Sequence, residues 1–238
     1  MRSAIGATAA NFEEGEPFPQ PKRASLAEGI ADSVAEAIAT GRLGPGERLV
    51  ETALAKRLDV SRVSIREALK VLHTQGILIG GGHRGYRVAA FGPETSEKVV
   101  EIRLMLETFL LRDAILNWRT RQARPHELDT VIARMRMAAR AGDFNEVLIA
   151  DLDFHRAIAH ASGNATALAL WTAIARHVLI IFNLARFRDA DLHVVVRRHE
   201  ALRDFILSQI KKPGSPEQLH QALDTHFMAR RKRGTGAP

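Results

Sequence analysis

Apolar positions along this chain recur mostly every three or four residues, the repeat that places side chains on one face of a helix. Ile30, Val34 and Ile38 open the series and predict a helix beginning near Ser25, a residue suited to an N-cap, and stopping at Gly41. Leu43-Gly44-Pro45-Gly46 reads as a turn, and Leu54 with Leu58 marks a short second helix, with Leu49 just ahead of it. Asp59-Val60-Ser61 is the next break. A third helix is predicted from Arg62 to Gln75, where Ile65, Ala68, Leu69 and Leu72 take the i, i+3, i+4, i+7 spacing of a buried stripe, and Gly76 ends it. Two short apolar runs follow, Ile77 to Ile79 and Tyr86 to Ala89, joined by Gly80-Gly81-Gly82-His83-Arg84-Gly85. They predict a small β-hairpin of the wing type.

Past Gly92-Pro93 the helical repeat resumes and no run reads as a strand. Helices are expected over 94–118, 125–141, 144–161, 164–188, 190–211 and 216–231. Pro125 and Pro216 stand where first-turn prolines are favoured, Ser215 with Gln218 fits a capping box, and Ser162-Gly163-Asn164 separates two helices. The expected fold class is mainly α. An N-terminal winged helix-turn-helix occupies residues 25–90 and a C-terminal antiparallel α-helical bundle residues 94–232. Residues 1–24, with three prolines and the acidic cluster Glu13, Glu14 and Glu16, are expected to form a flexible tail.

Composition narrows the chemistry. The chain has no cysteine, which excludes disulfides, thiolate nucleophiles and Cys-based zinc fingers and fits a reducing cytosol, so a cytoplasmic location is expected. Apolar runs such as Val178 to Phe182 fall far below the roughly 20 residues of a membrane span, and the first residues lack the long apolar stretch of a secretory signal. No membrane partner is expected. The net charge of +7 favours polyanions, but only +2 of it falls within residues 25–90, while Arg230, Arg231, Lys232 and Arg233 supply four of the charges further on. Total charge therefore does not locate a nucleic-acid site; the placement of individual arginines must.

That placement is informative on the third helix. Opposite its apolar stripe stand Arg62, Arg66 and Lys70, spaced by four, with Val63 nearby and Ser61 or Ser64 available as the cap. Arginines in the first turns of a helix can pair with guanine edges in a major groove, and the helix N-terminus attracts phosphate. Arg84, at the tip of a glycine-rich hairpin, can reach a phosphate or the neighbouring minor groove. Four-residue spacing in an isolated segment more often describes a solvated helix face. Three helices and a hairpin, with the basic face on the third helix, favour DNA.

Leu43-Gly44-Pro45-Gly46-Glu47-Arg48-Leu49, Leu54-Ala55, Val60-Ser61-Arg62-Val63-Ser64-Ile65-Arg66-Glu67-Ala68-Leu69, Leu72 and Gly76 resemble the N-terminal domain of GntR-family regulators. The family commonly has Thr-Pro where this chain has Val63-Ser64, a departure that should alter base preference more than fold. The resemblance implies that Ser61, Arg62, Ser64 and Arg66 touch DNA from the recognition helix, and His83 and Arg84 from the wing. Where one member uses a further arginine in its second helix, Thr52 stands here, and that contact is not carried over.

In the second half, Asp151 and His155 stand four apart, so they share a helix face on which carboxylate and imidazole can ligate one divalent metal. Spacing alone equally allows a simple helix-face hydrogen bond. His199 and His226 lie on later helices that an antiparallel bundle could turn inward. Residues 95–230 resemble the all-helical, FCD-type effector domain of the FadR-like branch of the same family. That resemblance implies that Asp151, His155, His199 and His226 hold a divalent metal ion, zinc or nickel, beside which an anionic metabolite, commonly a carboxylate, binds. Arg103 matches a cavity-facing position and could pair bidentately with a carboxylate; a surface pair with Glu107 at i+4 is the other reading. The connection Lys211–Pro216 is longer than usual, so His226 depends most on where the last helix falls. The expectation is a ligand-responsive repressor, a homodimer on a near-palindromic double-stranded operator and not an enzyme. The rival readings are a metal-dependent hydrolase and a DNA-binding protein with an inert dimerisation bundle.

Overall fold

The computed structural model describes residues 22–81, 85–184 and 191–228. Its first unit comprises α1 (Lys22–Ala39), β1 (Arg48–Leu49), α2 (Glu51–Leu58), α3 (Arg62–Thr74), β2 (Leu78–Gly80) and β3 (Tyr86–Val88). Helix α1 thus starts ahead of Ser25, the expected cap. The two apolar stripes meet: Ile30, Val34 and Ile38 of α1 and Ile65, Leu69 and Leu72 of α3 share one buried cluster. Each such side chain contributes about 1.5–3 kcal/mol when fully buried. The turn between α2 and α3 is set by Asp59, which adopts a left-handed conformation (φ 52°), and by Ser61, whose Oγ accepts the Ser64 amide at 3.1 Å.

The strands form an antiparallel sheet in the order β1-β3-β2, with Arg48 opposite Arg87, Leu49 opposite Tyr86, and Leu78 opposite Val88. The hairpin is where the sequence places it. Strand β1 is an addition: two residues carry no periodicity, and it forms because β3 offers an edge to pair with. The base of the hairpin requires glycine at residue 80, where φ is 88° and a Cβ would stand 2.8 Å from the Gly85 carbonyl oxygen. His83 and Arg84, expected at the wing tip, lie outside the described residues.

The second unit comprises α4 (Pro93–Thr120), α5 (His126–Ala141), α6 (Phe144–Ala161), α7 (Ala165–Leu184), α8 (Leu192–Lys211) and α9 (Pro216–Met228). Pro125 is the N-cap of α5 rather than part of its first turn, whereas Pro216 opens α9 and the Ser215 amide donates to Gln218 Oε1 at 3.0 Å, half of the expected capping box. The expected helix ends at 185–188 and 229–231 lie outside the described residues. Leu111, Met135, Phe154, Ile206 and Leu223, from five helices, share the bundle core.

Helix α7 is apolar on average over a longer stretch than its uninterrupted runs suggest. Its stretch Ala165–Asn183, with a mean hydropathy of 1.7, is long and apolar enough to cross a membrane by length and composition. Short uninterrupted runs concealed this, because Arg176 and His177 divide a stretch that is apolar on average. Here 44% of that stretch is buried within the fold, and Ala167, Trp171, Ala175, Val178 and Ile181 pack into a further core cluster. Ile180 of the same helix joins the cluster of the first unit.

Candidate functional site

The exposed face of α3 carries Arg62, Val63, Arg66 and Lys70, with Ser61 at the cap and Ser64 half-buried beside it. The two serine hydroxyls lie 2.9 Å apart, so both take part in the cap that starts the helix. Arg66 is not simply solvated. Its Nη2 donates to Glu51 Oε2 at 3.0 Å, and its Nε faces the same carboxylate. The hydrogen bond and charge of Glu51 raise the pKa of this guanidinium above its ordinary value. Glu51, at the start of α2, is a neighbour that sequence patterning missed: no local period links residues so far apart, and only the packing of α2 on α3 brings them together.

Inside the bundle, Asp151 and His155 of α6, His199 of α8 and His226 of α9 are all buried, and their ligand atoms lie within 4.8 Å of one another. The hydrogen bonds around them indicate the tautomers. His199 Nδ1 lies 2.8 Å from the Val195 carbonyl oxygen, to which it donates, and its Nε2 points inward, 3.2 Å from Asp151 Oδ1. His155 Nδ1 lies 2.5 Å from Glu107 Oε2, and its Nε2 faces His226 Nε2 at 3.3 Å. Burial lowers the pKa of His155 despite the opposing pull of Glu107, so the ring favours its neutral form. His226, whose position depended most on the last connection, lies with the other three.

Behind this cluster stands a second buried layer. Burial would raise the pKa of Glu107, but the Arg103 charge, with hydrogen bonding from His155 and Arg103, outweighs it and lowers it to about 2, so the carboxylate is ionised. Its Oε1 accepts from Arg103 Nε at 2.6 Å and from Trp171 Nε1 at 3.0 Å. Arg103 does pair with Glu107 at i+4, but with 1% and 3% exposure neither residue is at the surface, so the surface-pair reading fails. The same arginine also faces the centre. Its Nη2 is 3.8 Å from Asp151 Oδ2, its guanidinium carbon stands 4.3 Å from the Phe227 ring centroid, and Nη1 and Nη2 have no hydrogen-bond partner among the described residues. Sequence spacing identified the Arg103–Glu107 pair without its inward direction, and gave no sign of Trp171.

The donor set suits a transition metal. Imidazole nitrogens turned toward one another and toward a carboxylate repel unless protons or a cation lie among them, and three nitrogens with one carboxylate oxygen match zinc or nickel. Glu107, in contact with Nδ1 on the far side of His155, has the place of an outer carboxylate that would fix the ring and raise its basicity.

Two family profiles match the chain. That of the FCD domain covers residues 98–229, and that of bacterial regulatory proteins of the gntR family covers residues 26–88. The chain belongs to the GntR family. It is a transcription regulator in which a DNA-binding head is joined to an FCD domain. Among similar proteins, a probable D-xylose utilization operon transcriptional repressor of Paenarthrobacter nicotinovorans is 29% identical over 207 residues, 87% of this chain and 88% of the relative. The gluconate operon transcriptional repressor of Bacillus licheniformis is 27% identical over 191 residues, 75% of this chain and 74% of the relative. The solved structure of E. coli McbR/YncC aligns with a TM-score of 0.72 at 19% identity, over 88% of this chain and 96% of that one, which establishes the shared fold.

Proposed function

We propose that this GntR-family regulator is a metal-containing, ligand-responsive repressor. Its recognition helix contacts operator DNA through Ser61, Arg62, Ser64 and Arg66, with His83 and Arg84 of the wing as further contacts. Its bundle holds a divalent ion on Asp151, His155, His199 and His226. The observation that carries the reading is the convergence of these four buried side chains next to an arginine with two unsatisfied Nη groups. A buried cation with unmet donors favours an anionic partner, and a carboxylate satisfies a guanidinium edge with two parallel bonds. A bound zinc or nickel ion would supply a Lewis-acidic position for an oxygen of that ligand. Arg103 would orient the carboxylate, and Glu107 and Trp171 would hold Arg103 and His155 in place. The ligand relieves repression by stabilising an arrangement of the two heads that fits the operator poorly.

The experiment is metal analysis of the purified protein, followed by thermal-shift and turnover measurements with a panel of small carboxylic acids. Stoichiometric metal and a thermal shift without turnover are the expected results. Turnover would make the bundle an enzyme, and absence of both metal and shift would make it an inert dimerisation unit. His155→Ala is expected to strip most of the bound metal while the circular dichroism spectrum stays helical. Unchanged metal content would move the ion elsewhere.

The reading includes a homodimer on a near-palindromic operator. Ile102 and Met105 of α4 and Leu170 of α7 are 52%, 72% and 59% exposed, and with Leu106 and Ile174 they line one apolar groove. We assign the dimer contact to this groove, because its exposed apolar side chains would gain by being covered. Met105→Glu combined with Leu170→Glu is expected to convert the dimer to a monomer in sedimentation experiments and to weaken operator binding. A dimer that survives both changes would place the interface on another face.

A further inference from the structure

Helix α7 belongs to the bundle, yet one of its arginines is bonded to the head. Arg176 is 3% exposed. Its Nε donates to Asp32 Oδ1 at 2.8 Å, its Nη1 to Gln75 Oε1 at 3.2 Å, and its Nη2 to Glu28 Oε2 and toward the Glu28 carbonyl. Glu28 and Asp32 stand one turn apart on α1, and Gln75 is the C-cap of α3, the proposed recognition helix. One planar group thus holds both helices of the head's core from the bundle side. A guanidinium has fixed N–H directions, so acceptors on several of its edges define an orientation, which a point charge would not.

The two sides of this contact are unequal. The carboxylate side chains of Glu28 and Asp32 are 47% and 62% exposed, whereas that of Arg176 is 4% exposed. If the head rotates away, the guanidinium loses its acceptors on α1 and at the end of α3 together. The contact therefore narrows the orientations open to the head. At other positions α7 reaches the buried centre: Trp171 Nε1 donates to Glu107, and the Phe182 ring lies 5.8 Å from the Arg103 guanidinium.

We propose that Arg176 is the positioning residue that fixes the orientation of the DNA-binding head on the bundle, and thereby the half-site spacing that a dimer reads. The spacing part rests on the reading of the α3 face as the DNA contact of a homodimer. The orientation part stands without it.

Two measurements test this on the full chain. The chain contains no cysteine, so Lys56→Cys in the head and Met137→Cys in the bundle give one defined label pair. Spin-label distances, recorded with excess unlabelled chain to suppress signals between subunits, report head orientation. Operator duplexes are selected from a random library by the otherwise unaltered protein and then resynthesised with the spacer changed by one or two base pairs.

The unaltered protein is expected to give a narrow distance distribution and a preferred spacing. Arg176→Met keeps the apolar stem of the side chain. Glu28→Ala with Asp32→Ala changes only α1, at half-buried and exposed positions, and tests the same contact if Arg176→Met fails to fold. Both variants are expected to broaden the distribution and to cut the spacing preference at least about fivefold, the scale of a typical coupling between sites. Affinity for a single half-site and metal content should not change.

A distribution that stays narrow in both variants overturns the proposal. A broadened distribution with unchanged spacing preference overturns the link to the operator. If the unaltered protein selects no paired half-sites, the dimeric operator reading fails, and the distance distributions alone decide the role of Arg176.

Discussion

Arg62→Ala combined with Arg66→Ala is expected to abolish specific DNA binding while leaving the fold intact. A good bidentate arginine–base contact is worth about 1–3 kcal/mol of discrimination, so losing two in each protomer of the proposed dimer removes about 4–12 kcal/mol. Specific binding exceeds non-specific binding by about 4–10 kcal/mol in proteins of this kind, so the loss brings operator affinity near the non-specific level. The fold should tolerate both changes. Arg62 is exposed, and the Arg66–Glu51 pair, with side chains 51% and 27% exposed, is a solvent-screened surface ion pair that adds little stability. Fluorescence anisotropy on selected and scrambled duplexes at one salt concentration measures the effect, with circular dichroism as the fold control. Retained preference for the selected duplex would place the reading surface away from α3.

Glu107→Ala is expected to cost about 3–5 kcal/mol of stability, because the buried guanidinium loses the carboxylate bonded to its Nε and keeps only Asp151, 3.8 Å from Nη2. The same change frees His155 Nδ1 from its carboxylate, and loss of such an outer carboxylate typically weakens metal binding about 10- to 100-fold. Replacing both charges, as in Arg103→Met with Glu107→Met, should recover much of the stability without recovering the metal, because two apolar side chains of similar length leave no stranded charge. Urea denaturation of metal-free protein separates the stability effect from the metal effect. A single-variant loss near that of an exposed pair would mean that water reaches Arg103 and the pair is not sealed.

These expectations draw unequally on sequence and structure. The stripes of α1 and α3, the Ser61 cap, the hairpin around Gly80 and Gly85 and the run of bundle helices were legible along the chain. Each depends on hydrogen bonding and side-chain direction over a few residues, which impose a period or a turn residue locally. The Asp151–His155 pair was legible for the same reason, since one helical turn places both on one face. His199 and His226 entered through the family resemblance, and their spacing to Asp151 carries no such constraint.

Strand β1, the Glu51–Arg66 pair, the inward turn of Arg103 and Glu107, the Trp171 donor and the contact of Arg176 with the head were decided by the tertiary structure. Arg103 and Glu107 show the difference most directly: the i+4 spacing dictates that they can meet, but not whether they meet in water or in the core. That choice belongs to the helices packed around them. Local geometry is written into the backbone repeat, whereas burial and long-range partners depend on how separate helices come together, and no period along the chain encodes that.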